Sequence, residues 1–159
     1  MTGDGNEVVE AALRSAPSRL WQQLFDTAHL YLAESEAGHL RWEKTKPNKT
    51  MLVDGEERQV LQMGYPVYSE HVGGIIALFY DIGVVFPFDW SSWDGVDRYR
   101  GGSGLGEAPV AEAARLATAY IRGDRFCDGL LSQAIEDGTF SAILERLLRW
   151  YDSERGHPV

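Results

Sequence analysis

The chain has 159 residues, 44% of them hydrophobic and 25% charged, which is enough apolar material for one folded domain with a real core and too much for disorder. Its formal net charge of −9 at pH 7 opposes general binding to nucleic acid, since phosphate neutralisation needs clustered Lys and Arg. The lone cysteine, Cys127, excludes an internal disulfide and a Cys-rich zinc module. Asp4, Glu7 and Glu10 stand where a signal peptide would be apolar, and the longest apolar run, 72–88, is broken by Asp81, Gly83 and Pro87. These features predict a cytoplasmic protein with no membrane segment.

In chain order, residues 1–6 are expected to fray and 7–14 to form a short helix stopped near Pro17. A long helix follows over 18–37, because Leu20, Trp21, Leu24, Phe25, Ala28, Tyr31 and Leu32 recur at helical spacing; Gly38 is its stop. Residues 39–50 read as an extended basic connection containing Trp42 and Pro47. Asp54-Gly55 between two short runs predicts a small β-hairpin near 51–61, with strand confined to 39–63. Ser69 and Glu70 open a helix that buries Val72, Ile75, Ile76, Phe79 and Tyr80 and ends before Gly83. The Gly73-Gly74 pair inside it suggests close packing against another helix, since each Gly costs roughly 1 kcal/mol relative to Ala.

The C-terminal third predicts three helices. Pro109 begins one with Val110, Ala113, Ala117, Tyr120 and Ile121 inward. Asp124 caps the next, with Phe126, Leu130, Leu131 and Ala134 inward. Thr139 caps the last, with Phe140, Ile143, Leu144, Leu147, Leu148 and Tyr151 inward. The fold class expected is therefore mainly α, a single-domain bundle of five or six helices with one small hairpin. Residues 98–108 would be a glycine-rich linker within it.

The densest chemistry is Phe86-Pro87-Phe88-Asp89-Trp90-Ser91-Ser92-Trp93-Asp94, inside a window, 64–97, that holds five acids and no Lys or Arg. With Asp89 as N-cap, Phe88 and Trp93 occupy the positions of a hydrophobic staple. A carboxylate receiving N–H bonds there stays ionised and makes a poor general base. The competing reading places Trp90 and Trp93 on a partner surface, where aromatics concentrate.

The other motifs are weaker. The glycines after Arg98 lack the spacing and the Lys of a phosphate loop. Glu36-Ala37-Gly38-His39 is a single E-x-x-H where a di-metal bundle needs two, so His39 reads as a solvated helix end and no metal or cofactor is expected. Cys127 reads as a buried structural residue. The run 41–49 is basic but short, and reads as a solvated loop.

Tyr68-Ser69, Phe79-Tyr80-Asp81-Ile82-Gly83 and Pro87-Phe88-Asp89-Trp90 form one recognisable stretch. Ile121-Arg122-Gly123-Asp124-Arg125-Phe126-Cys127-Asp128-Gly129, with Gly138 and Leu144-Glu145-Arg146-Leu147, forms another. Together, over about 65–151, they resemble a family of small bacterial proteins known only as a domain of unknown function. The resemblance implies no activity; it implies that the two stretches belong to one unit. Arg125, at a helix N-terminus where the dipole disfavours a cation, is then expected to pair with Asp81, Asp89, Asp94 or Asp97.

The function expected is a non-enzymatic protein-interaction module using Asp89, Trp90, Trp93, Arg98 and Arg125. The alternative is a small anionic-ligand pocket or weak enzyme where Asp89 and Arg125 meet. A third reading, a nucleic-acid or phage-related accessory binder, rests on the 41–49 run alone.

Overall fold

The computed structural model describes residues 2–43, 49–60, 65–126 and 129–155. Cys127, His157 and most of the basic run lie outside them. The fold is mainly α. Among the described residues six helices have seven residues or more: α1 (Thr2–Ser15), α2 (Ser18–Ala33), α4 (Glu70–Ile82), α6 (Val110–Gly123), α7 (Leu130–Glu136) and α8 (Thr139–Arg155). Single turns α3 (Glu36–His39) and α5 (Gly95–Arg98) complete the set. Four short strands, β1 (Leu40–Glu43), β2 (Lys49–Val53), β3 (Glu56–Val60) and β4 (Tyr65–Tyr68), form two antiparallel pairs, β1 with β4 and β2 with β3.

The β2–β3 turn is the expected one. Asp54 and Gly55 both have positive φ, 54° and 79°, the type I′ geometry whose twist suits a hairpin. The outer pair was not anticipated, and β4 falls outside the 39–63 limit. Leu40 faces Tyr68 and Trp42 faces Pro66, and the Ser69 N–H extends the pairing to the His39 carbonyl at 2.9 Å.

Helix α6 is the centre. All of its residues are buried except Glu112, Arg115 and Arg122, and it packs against α1, α5, α7 and α8. Five of the buried positions are alanines, which let neighbours approach from several sides. Thr118 lies at 0% exposure within it. Its hydroxyl sits 2.9 Å from the Ala114 carbonyl and 3.2 Å from that of Val84, and accepts the Phe86 N–H at 3.3 Å. This one side chain fixes the segment after α4 to the middle of the core.

Around that centre the periodic helices behave as read. Trp21, Leu24, Ala28 and Tyr31 of α2 are buried. The Trp21 indole N–H donates to the Leu13 carbonyl at 3.1 Å, and its ring stacks on Tyr151 at 5.0 Å, so α1, α2 and α8 meet there. Ser69 caps α4 by accepting the Val72 N–H, and Gly83 ends it at φ 95°. Phe140, Ile143, Leu144, Leu147 and Leu148 of α8 are buried.

Several expectations need correction. Helix α1 begins at Thr2, inside the stretch expected to fray. Helix α2 ends at Ala33 rather than near 37. Tyr80 is exposed. Asp137, not Thr139, caps α8, accepting the Thr139 N–H and hydroxyl at 3.0 and 2.6 Å. Residues 98–108 are not a linker: they form short turns with Leu105 and Tyr99 buried, and Gly102 approaches α8 so closely that a Cβ there would lie 2.5 Å from that of Ala142. At Gly73-Gly74 helix α4 does pack on α2, but the packing does not require glycine. A Cβ on Gly73 meets nothing within 4 Å, and one on Gly74 lies 3.8 Å from Thr27, an ordinary contact.

Two stability predictions follow from these contacts. Gly73→Ala should raise stability by about 0.5–1 kcal/mol, because helix propensity improves with no steric conflict. Thr118→Val should lower it by about 1–3 kcal/mol, because the Phe86 N–H loses its acceptor. Urea denaturation of each variant measures both.

Candidate functional site

The 86–94 segment folds on itself. Phe88 and Trp93 meet edge to face at 5.7 Å, and Phe86 stacks on Phe88 at 5.1 Å. The expected staple contact is therefore made, although the helix it closes is a single 3₁₀ turn, Trp90–Ser92. Trp93 also lies across Gly95, where any Cβ would overlap its ring. Trp93 is half-buried in a structural role. Asp89 accepts the Ser91 hydroxyl at 2.9 Å. Hydrogen bonds from Ser92 and Ser91 hold its carboxyl below the ordinary value, so it is a poor proton acceptor at neutral pH.

Arg98 is engaged internally. It pairs with Asp94 and, at 3.3 Å, with Glu112 of α6, and lies 5.6 Å from the Tyr99 ring centroid. Glu112 is the hub of this group. It also accepts the Tyr99 hydroxyl at 3.2 Å and Arg115 Nη1 at 3.0 Å, and the same Nη1 reaches Asn6 of α1 at 2.6 Å. The network joins α1, α5 and α6.

The second stretch contacts the first through aromatic rings. Trp90 stacks on Phe126 at 6.0 Å, and a Cβ on buried Gly123 would lie 3.5 Å from the Trp90 ring. Phe126 was expected to point inward, but it is 81% exposed. The reason is local. Helix α6 ends at Gly123, residues 124–126 form a turn, and α7 starts only at Leu130. Asp124 still caps α7 from a distance, its carboxylate accepting the Leu131 N–H at 3.0 Å. Arg125 is therefore not at a helix N-terminus. It is exposed and forms no ion pair among the described residues, so the expected pairing with Asp81, Asp89, Asp94 or Asp97 does not occur. Asp94 and Asp97 are taken by Arg98 and Arg100. Asp89 and Arg125 thus do not meet as a catalytic or anion-binding pair.

Sequence reasoning missed His39. It is 1% exposed, not solvated. Nε2 lies 2.7 Å from the Tyr31 carbonyl and so carries the proton there; Nδ1 then accepts the Ser69 hydroxyl at 2.9 Å. Its ring stacks on Tyr31 at 3.9 Å. His39 locks the β1–β4 pair to α2 and α4. The local signal was weak, because the partners Tyr31 and Ser69 belong to other elements. No group of three or more His, Cys, Asp or Glu among the described residues could hold a metal ion.

Trp42, 52% exposed, lies beside the same α6–α7 connection. A Cβ on Gly129 would be 3.7 Å from its ring, and its N–H reaches Glu136 at 3.4 Å. Trp42, Trp90 and Phe126 therefore flank one turn. No helix among the described residues is long and apolar enough to cross a membrane.

The two recognisable stretches are thus in contact, as one unit requires. A family model described as a family of unknown function (DUF6508) matches residues 17–153. The chain belongs to that family. No curated protein and no solved structure matches it. DUF6508 membership brings no activity with it, so function is argued from the surface alone. Within the matched region Asp94 and Glu112, both paired with Arg98, orient α5 against α6.

That pairing predicts a small acid-dependent contribution to stability, screened by solvent. Its hydrogen bond to Arg98 holds the Asp94 carboxyl below its ordinary value of 3.8. A depressed folded value means the contribution is complete above 3.8 and is lost as pH falls below it. Wild type should therefore lose more stability than Asp94→Asn between about pH 5 and about pH 3, read from urea midpoints at each pH.

Proposed function

We propose that the protein is a non-enzymatic protein-interaction module whose contact surface is the turn carrying Arg125 and Phe126. The observation that supports it most is the exposure of Phe126, a large apolar ring held in place by stacking on the half-buried Trp90. Aromatic residues on a fixed support contribute to binding with little loss of conformational freedom. Arg125 beside it pairs with no carboxylate among the described residues, while the chain as a whole carries net charge −9. A local cation next to an exposed ring on an acidic protein suits a partner segment that carries a carboxylate and an apolar side chain.

Of the residues first singled out, Trp90 and Arg125 fit this surface. Asp89 adjoins it through Trp90. Trp93 and Arg98 serve the fold beneath and beside it, and a partner would meet them as a rigid base.

Phe126→Asp tests the reading. The side chain is exposed, so stability should change by no more than about 0.5 kcal/mol. A photo-crosslinker placed at exposed Ser91, beside Trp90, should capture a defined partner in cells from the wild-type background, and the Phe126→Asp background should lose that capture. Equal capture from both would rule out this surface.

A further inference from the structure

The chain has a second feature that the proposed interaction surface does not use. Helix α1 and the 83–88 segment enclose a groove of about 450 Å³, within the range of small-molecule sites. Its walls are apolar: Val8, Val9 and Ala12 on one side, Phe86, Pro87 and Phe88 on the other. Val8 is 70% exposed, unusual for an apolar residue in a helix that packs on the core.

One polar group stands in this wall, Arg115, only 18% exposed at its side chain. Both of its hydrogen bonds leave from Nη1, to Asn6 and Glu112. Nη2 makes none among the described residues and lies beside Gly5, where a built Cβ would be 3.3 Å away. Glu112, which would neutralise Arg115, is shared with Arg98 and the Tyr99 hydroxyl. Of the acids of α1, Glu7 and Glu10, whose side chains are described, do not line the groove. An apolar trough ending in a guanidinium edge whose Nη2 has no partner among the described residues is complementary to one ligand chemistry.

We infer that this groove binds a small amphiphile with an apolar chain and a single carboxylate, the chain lying between α1 and Phe86–Phe88 and the carboxylate on Arg115 Nη2. The absence of Lys and of other cations from the lining favours one negative charge over a phosphate ester. The glycine at position 5 lets Arg115 Nη2 lie close to α1, where a Cβ would be 3.3 Å from it. Helix α1 precedes residues 17–153, so the groove combines the matched region with a segment outside it.

The test is binding of octanoate and of octanol to the full chain, by isothermal titration and by chemical-shift changes at Val8, Ala12 and Phe86. Octanoate should bind saturably, about tenfold or more tighter than octanol, the preference expected of a charge-assisted hydrogen bond. Arg115→Gln should remove that preference and leave octanol binding unchanged. Because Arg115 also holds Asn6 and Glu112, a second variant is needed: Ala12→Trp, at an exposed helical position, should fill the groove and abolish binding of both compounds with the helical circular dichroism unchanged. No saturable octanoate binding to wild type overturns the inference, as does binding that survives Ala12→Trp. Equal affinity for octanoate and octanol overturns the role of Arg115. A concentration-dependent dimer that Ala12→Trp dissolves would show that a second copy fills the groove instead. None of these outcomes depends on Phe126, so the groove and the interaction surface stand or fall separately.

Discussion

The burial of α6 on nearly every side sets the terms for the rest of the molecule. A helix surrounded by other elements cannot carry large side chains at every position, because neighbours must come close from several directions at once. Ala111, Ala113, Ala114, Ala117 and Ala119 meet that demand, with Leu116, Tyr120 and Ile121 filling the wider gaps. Gly123 extends the same logic to the end of the helix, where Trp90 and Leu130 crowd a position that has no room for a Cβ. The glycine and alanine content of this segment is a packing requirement, and the exposed Phe126 follows from it. The chain must leave the helix where Trp90 sits, and the turn that results points the next large ring outward.

Such a helix also needs its few polar groups satisfied. Thr118 meets this from inside, through three backbone groups within hydrogen-bonding range. Glu112 and Arg115 meet it at the rim, each held by the other and by a residue of a different element. The two polar sites work differently. Thr118 is fully enclosed, so losing its hydroxyl strands a donor. The Glu112 network faces solvent on one side, where water screens each pair, and its role is to orient elements more than to add stability.

How much of this was legible in the sequence depends on the range of the interaction involved. The stripe on α2, the caps of α4, the Asp54-Gly55 turn and the buried face of α8 are encoded within a few residues, and each appears where the pattern places it. The β1–β4 pair was hidden because Leu40-Arg41-Trp42-Glu43, although it alternates apolar and polar residues, is only four residues long, and its partner, Tyr65–Tyr68, begins with an exposed Tyr before Pro66. His39 was misplaced for the same kind of reason. Its burial depends on Tyr31 and Ser69, and no local rule links the three. The turns at 98–108 looked like a linker because glycine signals freedom in isolation. At Gly102 it signals close approach to Ala142 of α8.

The same distinction separates the aromatic residues that the fold covers from those it leaves exposed. Phe88, Trp93 and Trp21 all find partners within the fold and need no external explanation. Phe126 has a ring partner on one face and solvent on the rest, and Trp42 is half exposed over Gly129. Density of aromatic residues along the chain therefore marks a segment that packs on itself. The acidic-aromatic run at 86–94 is dense because it must close a 3₁₀ turn against α6, whereas the ring left available for contact stands alone in a sequence of small and charged residues. A ring that the fold supports but does not cover is the stronger indicator of a partner, because its position already carries the ordering cost that binding would otherwise impose.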